Sequence, residues 1–221
     1  MAERRLDNRE RRALAAAVAD DLRAIVADLS EREISEGDLG AAAELIRSLR
    51  ERLDGPRRTR WYENDATVFA GEDDFTYLDQ SPVRGRLNPI APPMTIEVVE
   101  RPDGRRVVEG RARLGRAYEG PPRGVHGGWV AALLDELLGS AQGLTETTGV
   151  TAILKIRYRN ITPIDEDLRF EGWIHRDRGR TIIVRGTCRA GDTVTADAEG
   201  VFVRVDFNEI QERMKERRDQ S

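Results

Sequence analysis

Apolar side chains recur every three or four positions near the start of the chain, at Leu14, Val18, Leu22, Ile25 and Leu29. That spacing lays one apolar stripe along a helix. Leu39, Ala42, Ala43, Ile46, Leu49 and Leu53 form a second stripe. Ser35 with Asp38 three residues later resembles a capping box at its start, and Gly55-Pro56 stops it. Residues 1–56 therefore read as a helical hairpin. A hairpin of two helices buries little surface alone, so it is expected to dock on the main domain or on a partner subunit.

Between 57 and 94 the periodicity disappears. Trp61, Tyr62, Phe69, Phe75 and Tyr77 are scattered among acids and turn formers. Asn88-Pro89-Ile90-Ala91-Pro92-Pro93 excludes a helix, because proline removes a donor and restricts the residue before it. The segment reads as an irregular loop that wraps the domain and is anchored by its aromatics.

From 95 to 207 the pattern becomes that of strands. Thr95–Glu100 and Arg106–Leu114 are β-rich and separated by the turn signal Pro102-Asp103-Gly104. After the loop Gly120-Pro121-Pro122-Arg123-Gly124 comes a helical pattern over 126–142, with Val130, Leu133, Leu134, Leu137, Leu138 and Ala141 on one broad apolar face. So apolar a helix is expected to be buried. Four further strands follow, at 150–160, 168–177, 180–190 and 193–207. The last is long enough to be bent or bulged. They read as a meander, with tight turns at Arg178-Gly179 and Gly191-Asp192. In the first of them Ala152, Leu154, Ile156 and Tyr158 alternate with Thr151, Ile153, Lys155, Arg157 and Arg159. Residues 208–221 read as a charged tail with a short helix at Glu209–Arg218. One buried helix against an antiparallel sheet is an α+β architecture.

Composition narrows the function classes. The 221 residues hold 36 basic and 40 acidic side chains, a net charge of −4. That balance argues against generic nucleic-acid binding. The basic run Arg57-Arg58-Thr59-Arg60 reads as a solvated linker. No apolar run reaches the ~18 residues needed to span a bilayer. The N-terminus Met1-Ala2-Glu3-Arg4-Arg5 lacks the apolar core of a secretion signal. With Cys188 the single cysteine, no internal disulfide can form, and a cytoplasmic location is expected.

His126 and Asp135 are the leading candidates for chemistry. His126 sits between Gly124 and Gly127-Gly128 at the mouth of the apolar helix, where glycines let a ligand approach the backbone. The first N–H groups of a helix lack internal partners, and the helix dipole makes that end electropositive. An oxyanion placed there is stabilised. A plain loop-to-helix turn explains the glycines equally well. Asp135, nine residues after His126, lies among Leu133, Leu134, Leu137 and Leu138, so it needs a partner or solvent. Glu136 points about 100° away around the helix. His175 reads as structural, beside Trp173 in a strand. Cys188 lies mid-strand without a partner histidine. There is no Gly-x-Ser-x-Gly elbow, no Gly-x-Gly-x-x-Gly turn and no metal-ligand cluster.

The segment Val125-His126-Gly127-Gly128-Trp129-Val130-Ala131-Ala132-Leu133-Leu134-Asp135 resembles the His-Gly-Gly…Asp signature of PaaI-like hotdog thioesterases. The stretch Thr151-Ala152-Ile153-Leu154-Lys155-Ile156-Arg157-Tyr158, ending in Thr162-Pro163, is similar to the strand that follows in that family, and Gly179-Arg180 fits the next hairpin. The resemblance covers about residues 84–207. It implies a hotdog fold, an antiparallel sheet wrapped around one central helix, with the hairpin as an extension. It implies hydrolysis of acyl-CoA to free acid and CoA, with no cofactor besides the CoA of the substrate. Asp135 would be the base or nucleophile, the Gly127 N–H would polarise the thioester carbonyl, and His126 would shape the site. Thr151 would aid water or the acid of the neighbouring subunit. A homodimer or a tetramer of two dimers would follow, since such sites form between subunits. Gly120 stands where many members carry an asparagine. Gly128 would complete the substrate-binding turn, and Arg159 and Arg180 are candidates for the CoA phosphates. The competing readings are a non-catalytic acyl-CoA-binding or regulatory module and a hotdog hydratase or dehydratase.

Overall fold

The computed structural model describes residues 6–56, 77–92 and 94–206. The basic run at 57–60, the aromatics from Trp61 to Phe75 and the helix expected at Glu209–Arg218 lie outside them. The chain divides into two compact units, Met1–Tyr77 and Leu78–Ser221.

The first unit holds α1 (Asn8–Glu31) and α2 (Glu36–Arg52). Asp7 caps α1 reciprocally: its side chain accepts from the Glu10 N–H, and the Glu10 carboxylate accepts from the Asp7 N–H. Ser35 starts α2 as expected, accepting from the Asp38 N–H at 3.2 Å. The apolar stripe of α1 is not its buried face. Leu14, Val18 and Leu29 are 56, 41 and 51% exposed, whereas Ala16 and Ala19 are buried at 8 and 2%. The alanines lie roughly a third of a turn from the stripe. Small side chains let a helix be approached closely, so the alanine face is the covered one. Among the described residues no helix is long and apolar enough to cross a membrane.

The second unit is one six-stranded antiparallel sheet against one helix. The strands are β1 (Thr95–Glu100), β2 (Arg106–Arg113), β3 (Gly149–Tyr158), β4 (Asp167–Arg178), β5 (Thr181–Ala190) and β6 (Thr193–Arg204). Their order across the sheet is β1-β2-β4-β5-β6-β3. The helix α3 (Gly127–Gln142) buries Val130, Leu133, Leu134, Leu137, Leu138 and Ala141. This is the face expected from the sequence. The meander is corrected: β3 does not pair with β4 but crosses to the far edge and pairs with β6. Alternation along a strand records which face is buried, not which neighbour it finds, so the crossover left no trace in the pattern.

Glycines decide how closely α3 approaches the sheet. Gly110, Gly172, Gly186 and Gly200, on β2, β4, β5 and β6, all face it. A Cβ on Gly186 would lie 3.0 Å from Leu138 Cδ2 and 3.0 Å from the Glu171 carbonyl oxygen, and one on Gly172 would meet Leu137 at 3.3 Å. Leu137 and Leu138 thus fill the space that side chains on these strands would occupy, and both are fully buried. Cys188 is part of the same core. Burial pushes its thiol up to about 11, so it is an inert apolar residue at neutral pH.

The loop before β1 folds tightly and packs on α3. The Gly85 N–H donates to the Ser81 carbonyl and the Leu87 N–H to the Asp79 carbonyl. Arg84 reaches across to pair with Glu136 at 2.9 Å. The second half of the expected wrapping loop therefore covers the helix.

Candidate active site

The start of α3 is held from several directions. The His126 N–H donates to the Tyr118 carbonyl, and Tyr118 packs edge-to-face on Trp129 with ring centroids 5.1 Å apart. His126 is the N-cap: its Nδ1 accepts from the Gly128 N–H at 3.0 Å. A neutral imidazole that accepts at Nδ1 carries its proton on Nε2. Gly128, expected in the substrate-binding turn, thus has its N–H committed to the cap. The Gly127 N–H has no hydrogen-bond partner among the described residues. It is the orphan donor at the positive end of the helix. Gly120 has a local reason: a Cβ there would lie 2.7 Å from His126 Cα, so no larger residue fits beside the cap.

Tyr158, at the end of β3, was assigned no role from the sequence. Its hydroxyl donates to the Gly127 carbonyl at 2.8 Å, and its ring lies against the Gly127 Cα. An open cleft of about 480 Å³ begins here, lined by Pro121, Val125, Gly127, Val130, Tyr158 and Ile161. The sequence signal was Tyr158 on the same alternating face as Leu154 and Ile156, but what it touches depends on where β3 ends beside the helix. Loss of the hydroxyl in Tyr158→Phe should loosen the Gly127–Gly128 peptide and, through the Gly127 Cα, the neighbouring peptide that carries the Gly127 N–H. If the Gly127 N–H is the oxyanion donor, kcat should fall ~10-fold, the scale of one weakened hydrogen bond, with KM little changed. Steady-state kinetics test this, and an unchanged kcat would count against the role.

Asp135 finds its partner on β3. The Thr151 hydroxyl donates to Asp135 Oδ1 at 3.0 Å within one chain. Asp135 and Thr151 are therefore joined within the chain. A β-bulge makes the contact. Thr151 pairs with Phe202 and Ile153 with Val201, so Ala152 is the extra residue. Phe202 is buried on the α3 side. Simple alternation would put Thr151 on the face of Ile153, whereas the bulge turns it to the face of the helix. Asp135 itself is half-buried.

Glu136 is engaged elsewhere. Besides Arg84, it accepts from the Ser81 hydroxyl at 3.3 Å, and Arg84 Nη1 donates to Ser140 at 3.3 Å. The Arg84 and Glu136 side chains are only 18 and 21% exposed. Glu136 thus clamps the loop onto α3. Glu136→Gln should cost about 1–3 kcal/mol of stability, as for hydrogen bonds to charged groups, and leave kcat near normal. Denaturant titration alongside kinetics checks both halves.

The candidate phosphate ligands do not converge. Both Nε and Nη2 of Arg159 donate to Asp197 Oδ1, at 2.9 and 2.6 Å, so Arg159 is an ion-paired arginine. Arg180 is exposed in the β4–β5 turn, where its carbonyl accepts from the Arg204 N–H. Gly149 pairs with Arg204, whereas Tyr158 pairs with Ala196. Arg180 therefore lies at the Thr151 end of the sheet and Arg159 at the Tyr158 end. His175 is exposed. Among the described residues no group of three or more His, Cys, Asp or Glu side chains is placed to hold a metal ion.

Comparison with known proteins agrees with this architecture. The family model described as the thioesterase superfamily matches residues 124–199. A crystal structure of a protein described as a thioesterase superfamily protein is 32% identical, with a TM-score of 0.69, over 86% of this chain and 90% of that one. Acyl-coenzyme A thioesterase THEM5 of Homo sapiens is 29% identical over 97 residues, 43% of this chain and 39% of that protein. The chain thus spans about two fifths of that curated relative's length. A conserved protein from Pseudomonas aeruginosa is 25% identical over 50% of this chain and 88% of its own, with a TM-score of 0.43. The chain belongs to the thioesterase superfamily and has the hotdog fold.

Proposed function

We propose that the protein hydrolyses acyl-CoA thioesters to the free acid and CoA, in a cytoplasmic active unit of at least two chains. The observation that carries this reading is the half-buried Asp135 held by the Thr151 hydroxyl on a helix whose first amide, at Gly127, is an unused donor. Asp135 acts as base or nucleophile. As base it takes a proton from water, and the water oxygen bonds to the thioester carbonyl carbon. The carbonyl oxygen becomes an oxyanion that the Gly127 N–H stabilises. The oxyanion then collapses to re-form the carbonyl, the C–S bond breaks, and the proton that Asp135 took from water passes to the sulfur, which leaves as the thiol of CoA. His126, by capping Gly128, holds the turn that aims the Gly127 amide. The acyl-CoA class is supported by the name of the human relative, acyl-coenzyme A thioesterase. Arg180 remains the candidate for the CoA phosphates, and no cofactor besides the substrate's CoA is invoked.

The requirement for two chains follows from distance. Gly127 and Asp135 are eight residues apart on one helix, about 12 Å at 1.5 Å per residue. An oxyanion donor must lie about 3 Å from the oxygen it stabilises, so Asp135 of one chain and its own Gly127 cannot serve one carbonyl. A second copy would complete each site. β3 is at the sheet edge and leaves Val150, Ile153 and Tyr158 41, 49 and 54% exposed. An edge with apolar side chains and unpaired backbone groups is a ready surface for another chain. A homodimer or a tetramer of two dimers is the form this reading requires.

The test is a panel of acyl-CoAs assayed for free thiol, with the mass in solution measured by light scattering. Buried Cys188 should not contribute to the thiol signal. Thiol release by a dimer or larger species is expected. Tight acyl-CoA binding without release would favour the regulatory module, and an active monomer would overturn the shared site.

A further inference from the structure

The sheet face turned away from α3 carries three arginines directly opposite one another. Arg111 on β2 pairs in register with Arg169 on β4, and Arg169 with Arg189 on β5. All three are exposed. Like charges directly opposite on neighbouring strands destabilise a sheet, with Cβ atoms only about 5 Å apart. Among the described residues Arg111 and Arg169 have no side-chain hydrogen bond or ion pair, and Arg189 donates to the Asp192 carbonyl, which is neutral. The carboxylates one step along the strands, Glu109 and Glu171, are both taken by Arg101. The row is not a by-product of a basic protein either, since the chain carries a net charge of −4.

The arginines border a cleft of about 350 Å³ that also contains the half-buried Trp173 and, between the two, Glu109 and Glu171, whose charge Arg101 partly offsets. Trp173 lies four residues beyond Arg169 on the same strand, about 13 Å away at strand rise. Planar guanidinium forks suit phosphate oxygens, and an indole presents a face for a flat heterocycle. We propose that Arg111, Arg169 and Arg189 bind the phosphates of a free nucleotide whose base lies against Trp173. The repulsion within the row is then relieved when the ligand is present. The sheet separates this face from the α3 side, where Gly127 and Thr151 lie, so the proposal does not rest on the thioesterase reading.

The experiment is calorimetric titration of the full chain with ADP, pyrophosphate and adenosine at low ionic strength. ADP should bind, and binding should weaken as salt screens the phosphates. Arg169→Gln should weaken ADP and pyrophosphate alike by ~10-fold or more, the scale of a lost charge-assisted hydrogen bond. Trp173→Leu should weaken ADP while leaving pyrophosphate unchanged. Arg169→Gln should keep or raise Tm, because it removes a like-charge contact. Three results would overturn the proposal. One is the absence of ADP binding at millimolar concentration. Another is ADP affinity unchanged in Arg169→Gln, including the case where that variant instead raises KM for acyl-CoA. The third is a lowered Tm for Arg169→Gln, which would make the arginine a structural residue.

Discussion

Asp135→Asn should lower kcat by at least ~10²-fold, the lower end of what a positioned acid or base contributes, and leave the fold intact. The two halves of this expectation have separate causes. The Thr151 hydroxyl donates to Asp135 Oδ1, and asparagine offers a carbonyl oxygen at the same place, so the link between α3 and β3 survives. Asparagine has no negative charge, so it neither takes a proton from water nor attacks a carbonyl carbon. KM should change less than kcat, because the lost interaction belongs to the transition state. Kinetics with a saturating acyl-CoA, together with a melting curve, separate the effects. Near-normal turnover in a folded variant would remove Asp135 from the mechanism. Glu136 would be a poor replacement, since Arg84 and Ser81 already occupy it.

The largest stability effect is expected at a residue with no chemistry. Gly186→Val should destabilise the protein by about 3 kcal/mol, toward the upper range for overpacking a core. Its added Cβ would lie 3.0 Å from Leu138 Cδ2 on one side and 3.0 Å from the Glu171 carbonyl on the other. The leucine is fully buried in α3, and the carbonyl is fixed in β4, paired with β5. Neither can retreat far in a close-packed interior. Gly186→Ala should show a smaller loss in the same direction. Chemical denaturation reads both, and a valine variant as stable as the parent would mean that α3 does not sit as close to the sheet as described. The helix carries both Gly127 and Asp135, so a shift of its axis should also lower turnover.

The elements of the second unit were legible because their physics is local. A period of two marks a half-buried strand and a broad apolar stripe a buried helix, and the expected spans agree with β1, β2, α3 and β4 to β6 within a few residues at each end. The α1 stripe shows the limit of such a pattern. Spacing shows which residues could share a face but not which face is covered, and Leu14 and Val18 are exposed while Ala16 and Ala19 are buried. Asp135 stood out because an acid among leucines demands a partner, and His126-Gly127-Gly128 because glycines beside a helix start are an exposed-backbone signal. What the sequence by itself determined was thus the α+β class, the buried face of α3, the inert Cys188 and the two places on α3, its start and Asp135 in its middle, where chemistry could sit. Only the tertiary structure decided which groups meet. The crossover of β3 brings it beside α3 and leaves it at the sheet edge. The extra residue Ala152 turns Thr151 toward Asp135. Tyr158 reaches Gly127, Arg159 is taken by Asp197, and three arginines far apart in sequence become neighbours on one face. Each of these depends on strand register, which is fixed by contacts between residues distant along the chain and leaves no local period to read.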